Sequence, residues 1–301
     1  MIPSLLQIPS AVSDSKLHSV LPNNGKGDFQ FDRSTGATRI NKDGLIEEVG
    51  YFSSELVQNG DFSELGSELV TNGDFADNSW WQLSSSNVNI SNGKGNFTAG
   101  TTEYFYKTNT LTIGKKYKVT FEITDYTTGY ISAFGGNWSG AAVGLGTYVR
   151  YINNCVDTTF GLVGNTFVGS IDNVSVKQVD PNDRWTLETG WSYGDNRLNF
   201  SGGSSNRACY SNIGITNGKK YKLSFNVLSI SAGQVSLRFG GMAGVDEITA
   251  TSTGIHSGII TANSSAIGTV QIEDNDNNFV GSITDVSVVE VQGDRPRLSY
   301  D

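Results

Sequence analysis

His18 and His256 are the only imidazoles in a chain of 301 residues, and neither lies in a nucleophile or zinc-binding spacing. Carboxylates that cut a glycosidic bond must stand about 5–10 Å apart across a cleft. The acid pairs here, Asp246/Glu247 and Asp274/Asp276, are close in sequence and read as solvated turns. The chain is therefore read as non-catalytic. Its chemistry lies in aromatic surface, because the apolar C–H faces of sugars stack on exposed rings while their hydroxyls seek amide and carboxylate partners. Residues 80–151 supply Trp80, Trp81, Tyr104, Tyr106, Trp138, Tyr148 and Tyr151, and residues 180–293 add Trp191, Tyr193 and Tyr210. Trp138 stands first, in the glycine-rich stretch Gly135-Gly-Asn-Trp-Ser-Gly140. The carbohydrate-stacking set is Trp138, Trp80, Tyr104, Tyr148, Tyr151, Trp191 and Tyr210. Core packing is the competing use of the same rings, and it suits Trp81 and Trp185 better because they recur at matched places.

The elements that position these rings come in two copies. Phe167-Val-Gly-Ser-Ile-Asp-Asn-Val-Ser-Val176 returns as Phe279-Val-Gly-Ser-Ile-Thr-Asp-Val-Ser-Val288. Upstream, Gly114–Phe121 answers to Gly218–Phe225, Phe134-Gly-Gly to Phe239-Gly-Gly, and Trp81-Gln-Leu to Trp185-Thr-Leu. A period above 100 residues marks duplicated domains rather than a solenoid. Tyr117, Val119, Phe121 and Ile123 alternate with Lys116, Lys118, Thr120 and Glu122, the period of a half-buried strand, and Tyr221, Leu223, Phe225 and Val227 repeat the pattern. A bulge near Asp172 would place both Ile171 and Val174 inside. Short Val, Ile, Thr, Tyr and Phe runs broken by glycine (36 residues) predict an all-β chain of two tandem jelly-roll β-sandwiches.

The net charge of −9 opposes a nucleic-acid partner, since phosphate binding needs clustered Lys and Arg. The absence of a long apolar run opposes a membrane partner. Cys155 and Cys209 fall at non-equivalent positions, so no disulfide is expected. Met1-Ile-Pro-Ser-Leu-Leu lacks the features of a secretion signal. Residues 54–63 and 67–76 are a local duplication, Ser-Glu-Leu-Val-(Gln/Thr)-Asn-Gly-Asp-Phe-(Ser/Ala); the second copy is expected to open the first sandwich, the first to be a linker or spare edge strand.

At the N-terminus, Leu5, Leu6, Ile8 and Val12 suggest an extended arm, and residues 26–49 a small meander with a turn at Asp43-Gly44. Residues 27–49, Gly-Asp-Phe-Gln-Phe-Asp-Arg-Ser-Thr-Gly-Ala-Thr-Arg-Ile-Asn-Lys-Asp-Gly-Leu-Ile-Glu-Glu-Val, resemble a block near the N-terminus of tailed-bacteriophage virion structural proteins of the tail-fibre and head-fibre type. In that family a segment like Arg295-Pro-Arg-Leu-Ser-Tyr-Asp301 follows closely. The resemblance implies that the sandwiches were inserted into one base element, with residues 26–49 and 294–301 side by side. It further implies other virion proteins of capsid or tail as partners, a homo-oligomer, and localisation in a virion assembled in the host cytoplasm.

Leu69-Val-Thr-Asn-Gly-Asp-Phe75, the tryptophans after it and the closing Ile171-Asp-Asn-Val-Ser-Val176 resemble carbohydrate-binding modules of the jelly-roll type. This resemblance implies host or environmental glycans as ligands. It also implies a structural calcium ion in domain 1, held through Asp74 and Asp172, with no other cofactor; the second unit has Thr284 in place of Asp172. The expected layout is a particle-anchoring arm and base element at 1–50 plus 294–301, a linker at 51–66, jelly-roll domain 1 at 67–179 and jelly-roll domain 2 at 180–293. The expected function is a virion projection or decoration protein that binds glycans. The alternatives are an architectural virion subunit whose sandwiches make protein–protein contacts, and a non-catalytic part of a polysaccharide-degrading enzyme.

Overall fold

The computed structural model describes residues 52–202, 208–242, 246–274 and 278–291, with the backbone of five short strands within residues 1–50. Every regular element among the described residues is a strand. Near the N-terminus, β1 (Pro9–Ser13), β2 (Lys16–Ser19) and β3 (Phe29–Gln30) form one antiparallel sheet, and β4 (Thr38–Ile40) pairs with β5 (Ile46–Glu48). β1 is thus paired where the sequence suggests a lone arm. Leu5, Leu6, Ile8, the Asp43-Gly44 pair and residues 294–301 lie outside the described residues.

Sandwich 1 contains β6 (Leu65–Glu68), β7 (Gln82–Leu83), β8 (Val88–Ser91), β9 (Lys94–Phe97), β10 (Glu103–Lys107), β11 (Lys116–Phe134), β12 (Gly146–Ile152) and β13 (Phe160–Val179). β11 and β13 pair along almost their whole length and run through both layers. Four register shifts between Thr120 and Tyr130 bend this ribbon, as bulges do. Its first half as counted on β11 lies in a back sheet with β12, β9 and β8, and its second half lies in a front sheet with β10 and β7. Tyr117, Val119, Phe121 and Ile123 are buried between the layers, as their alternation predicts. Ile171 and Val174 are both buried, because Asn173 takes a left-handed φ of 54° and inserts the extra residue. Its counterpart Asp285 has the same φ of 54°. The Asn/Asp exchange in the repeat therefore falls where these two residue types are tolerated best.

Sandwich 2 repeats the plan with its ribbon cut. Its front sheet is β14 (Trp185–Leu187), β17 (Ala208–Asn212), β22 (Thr269–Asp274), β19 (Val235–Phe239) and β20 (Ile248–Ala250), in that order. Its back sheet is β15 (Trp191–Gly194), β16 (Arg197–Phe200), β23 (Val280–Glu290), β18 (Lys220–Ala232) and β21 (Gly254–Thr261). Cys155 and Cys209 are buried free thiols in different sandwiches.

Residues 52–64 correct the linker expectation: they belong to sandwich 2. Val57 and Phe62 lie in its core, and Phe62 tilts against Trp185 at 5.2 Å. Ser53 N–H donates to the Glu290 carbonyl and Leu56 N–H to that of Val288. Residues 67–76 make equivalent bonds in sandwich 1. Trp81 Nε1–H donates to the Asn72 carbonyl (2.8 Å) and Trp185 Nε1–H to that of Asn59 (3.0 Å). The carboxylates of Glu68 and Glu55 accept Val176 N–H (2.7 Å) and Val288 N–H (2.8 Å). A Cβ on Gly73 or Gly60 would fall 1.9 Å or 2.0 Å from the carbonyl oxygen of Val174 or Val286, so only glycine permits that approach. The opening segment absent from the start of the second unit thus precedes the first unit, and sandwich 1 is inserted within sandwich 2.

The sandwiches also touch side by side. Lys118 Nζ meets Asp195 at 2.6 Å, Lys115 pairs with Asp183, Lys116 Nζ lies 5.7 Å over the Tyr193 ring, and Tyr193 N–H donates to Asn153 Oδ1 (2.9 Å). Burial lowers the Lys116 ammonium's pKa against the pull of Asp180 and Asp183. Phe62→Ala is expected to cost sandwich 2 about 3–5 kcal/mol, the usual cost of emptying a buried phenylalanine site. Residue-resolved hydrogen exchange checks this: faster exchange should concentrate in 180–291. Loss of protection confined to 65–179 would return 52–64 to the role of linker.

Candidate functional site

The outer face of the front sheet of sandwich 1 gathers the rings that matter. Phe105, Ile131, Ala133 and Leu162 point into the core, so their neighbours on the same strands point out. The ladder sets Gln82, Tyr106, Gly161 and Phe134 in one cross-strand row, and Tyr104, Val163 and Ser132 in the next. Trp138 bridges Phe134 across the following turn, with ring centroids 5.5 Å apart, and is 56% exposed. Gly161 and Val163 are buried and lie outside the core cluster. They form the closed base of a shallow trough along β13, with Val163 only 1% exposed. Tyr104 and Tyr106 wall one side, and Phe134 with Trp138 the other. Two strand spacings set these walls about 9–10 Å apart.

Glycine shapes the turn that carries Trp138. Gly136 has φ 87°, and a Cβ there would lie 2.4 Å from the Val156 side chain. Ser139 closes the turn, its N–H on the Ala133 carbonyl (3.0 Å) and its hydroxyl oxygen accepting Ala133 N–H (2.9 Å). At the opposite rim, the Glu103 carboxylate accepts from Ser84 (2.6 Å), Ser85 (2.7 Å), Asn87 (2.9 Å) and Thr101 (2.9 Å). Those donors favour the charged form, Ser84 most, and lower its pKa from 4.5 to about 2.

The other expected residues are dispersed. Trp80 is half-buried, with its ring edge-on to Trp81 at 4.5 Å and Lys107 Nζ 5.8 Å above it, at the end of the trough's β7–β10 wall. Tyr148 lies in the back sheet, stacked on Phe121 at 5.7 Å, with its hydroxyl on the Val143 carbonyl, and so serves packing. Tyr151 is taken up between the sandwiches, 3.5 Å from Asp195, where burial and then that carboxylate raise its pKa. Trp191 is 6% exposed and packs on Phe200 and Phe279 inside sandwich 2, so it cannot face a ligand. Tyr210 does reach the outer face of sandwich 2, in the row Thr186, Tyr210, Gln271 and Arg238. There the floor is filled: Gln271 and Glu273 replace Gly161 and Val163, and buried Arg238 donates Nε–H to Glu273 (2.6 Å).

Phe134 and Gly161 are the residues missed by sequence reasoning. The match of Phe134-Gly-Gly to Phe239-Gly-Gly suggests equivalent rings, yet Phe239 is fully buried while Phe134 lines the trough. Arg238, not Phe239, pairs where Phe134 does, and a one-residue slip reverses the face. The two residues named for calcium make local contacts. Asp74 is exposed and accepts Ala76 N–H (3.3 Å), Asp172 accepts Asn173 N–H (2.7 Å), and no group of three or more Asp, Glu, His or Cys suited to a metal exists among the described residues.

No family model and no curated protein matches the chain. Among solved structures it is similar to the N-terminal CBM22-1–CBM22-2 tandem domain of Paenibacillus barcinonensis Xyn10C (9% identity, 76% of this chain and 99% of that one, TM-score 0.31). It is also similar to the allantoicase of Saccharomyces cerevisiae (8% identity, 78% and 92% covered, TM-score 0.30).

Because the folded pKa of Glu103 lies below its ordinary value, its contribution to stability is full above about pH 4.5 and disappears as pH falls toward 2. Glu103→Gln should flatten the decline in sandwich 1 stability across that window, read by thermal melts at successive pH values. An unchanged acid profile would remove Glu103 from the account.

Proposed function

We propose that this protein is a non-catalytic glycan-binding module, and that sandwich 1 stacks a sugar on the partly exposed rings of its front sheet, Tyr104, Tyr106, Phe134 and above all Trp138. The observation that carries this reading is Trp138, 56% exposed and packed on Phe134 at the end of an aromatic row on the outer face. A core has no use for that exposure, and a ring stacked on it would be shielded from water on one face. Gln82 is exposed on the same face, where it can serve a hydroxyl. The trough-lining residues named above carry no charge, which suits a neutral sugar.

The module sits in a virion projection, anchored by residues 1–50 and 294–301. The resemblance of residues 27–49 to phage structural proteins supports this placement. So does the bridge between Phe52 and Val291, which brings together the points where both outer segments leave sandwich 2. That junction is what insertion into a single base element requires.

Trp138→Ala should weaken retention on an immobilised glycan tenfold or more, since truncating a tryptophan anchor costs about 2 kcal/mol and about 1.4 kcal/mol is tenfold. The melting temperature should hardly move, as exposed substitutions stay within about 0.5 kcal/mol. A large fall in stability, or a wild-type protein that retains no glycan on a broad array, would end the proposal. Removing 294–301 should reduce incorporation into particles, and undiminished incorporation would sever the link to the virion.

A further inference from the structure

In sandwich 1 the edge strand β12 is covered. Arg150 donates to the carbonyls of Gly140 and Ala141, the Tyr148 hydroxyl donates to that of Gly144, and Tyr151 is consumed by the contact with sandwich 2. The corresponding strand of sandwich 2 is β21, Gly-Ile-His-Ser-Gly-Ile-Ile-Thr. It ends the back sheet, and among the described residues no strand pairs on its far side. It contains no Lys, Arg, Asp, Glu or Pro, the residues that keep exposed edges from pairing. Ile255 is 77% exposed and Ile259 46%, both on the outer face.

We infer that β21 is a homodimer edge, closed by antiparallel pairing with β21 of a second copy about a two-fold axis through Ser257. Each exposed isoleucine lies two positions from Ser257, so the axis sets Ile255 of each copy against Ile259 of the other. On the inner face it sets His256 against Gly258, beside the Ile248 side chain. The register is self-complementary, as an isologous interface demands, and puts no like charges opposite each other. The equivalent position in the other sandwich is already used for a contact between sandwiches, because Ile259 occupies on β21 the place that Tyr151 occupies on β12, and Tyr151 meets Asp195. Tyr151 pairs with Lys118 and Ile259 with Lys222, at the same step of the two repeats. The inference does not depend on glycan binding.

The full chain at about 10 μM, where a micromolar Kd gives substantial dimer, should show twice its monomer mass by light scattering. Ile255→Lys with Ile259→Lys should return it to monomer mass with its melting temperature kept. Ser257→Cys should form an intermolecular disulfide on mild oxidation, because opposed residues lie about 4.5–5.5 Å apart at Cα, within disulfide reach. The native thiols, Cys155 and Cys209, are buried and should not compete. A monomeric wild type, a dimer that survives the double substitution, or no cross-link in the Ser257→Cys variant would each overturn the inference.

Discussion

The carboxylate of Asp180 is the point on which the nested architecture depends. It is 4% exposed and accepts from Asn59 Nδ2 (3.2 Å), Arg184 N–H (3.0 Å), Trp185 N–H (2.9 Å) and the Tyr193 hydroxyl (2.9 Å). Its own N–H donates to the Glu64 carbonyl (3.0 Å). Glu64 precedes β6, the first strand of sandwich 1, and Asp180 follows β13, the last. The chain therefore enters and leaves the inserted sandwich at neighbouring points, the condition under which a domain tolerates insertion. Hydrogen bonds to a charged group contribute about 1.5–3 kcal/mol each, and a buried carboxylate left without them would be costly. Asp180 thus holds the opening segment, the junction and β15 together in sandwich 2.

The same fold presents different outer faces on its two copies. In sandwich 1 the outer face carries partly exposed rings on either side of the small residues Gly161 and Val163. In sandwich 2 an Arg238–Glu273 pair fills the equivalent place, with both side chains about nine-tenths buried. Desolvating such a pair offsets much of its Coulomb attraction, so its presence is weak support for a stabilising role. Its steric effect is plain, since a long charged pair stands where sandwich 1 has a glycine and a valine. The duplicated scaffold carries an aromatic outer face on one copy and a charged, buried pair on the other without altering the core that both require.

Much of this was legible in the sequence, for a local reason. Strand alternation at Tyr117–Ile123 and Tyr221–Val227 predicts the buried faces because period two is a property of each strand alone. The bulge after Asp172 follows from the same logic. The destination of residues 54–63 is a long-range fact: Glu55 reaches Ser287 across 232 positions, and both sandwiches offer a closing strand of nearly identical sequence. Nothing in the segment itself distinguishes the two acceptors. Ring assignments go astray for a related reason. Trp191, Tyr148 and Tyr151 have the right chemistry for stacking, but which layer they enter is set by partners elsewhere in the chain.

Nesting also changes how a load on a bound ligand would be carried. In a simple tandem, force on the first domain reaches the second through one linker. Here sandwich 1 is tied to sandwich 2 at both ends, through Glu64–Leu65 and Val179–Asp180, and laterally through Lys118–Asp195 and Lys116 over Tyr193. Exposed ion pairs contribute little alone, about 0–1 kcal/mol. Two covalent connections joined by a backbone hydrogen bond at their root, however, constrain the orientation of the trough without needing strong side-chain contacts. The opening segment at 52–64 is paired with β23 by main-chain bonds and by Glu55, so pulling on β6 first loads that ladder rather than a free strand. Under the proposed glycan binding, a weak single site would gain most from such a mount. Repeated copies on one body multiply weak contacts only if each site is held in a geometry that lets several engage together.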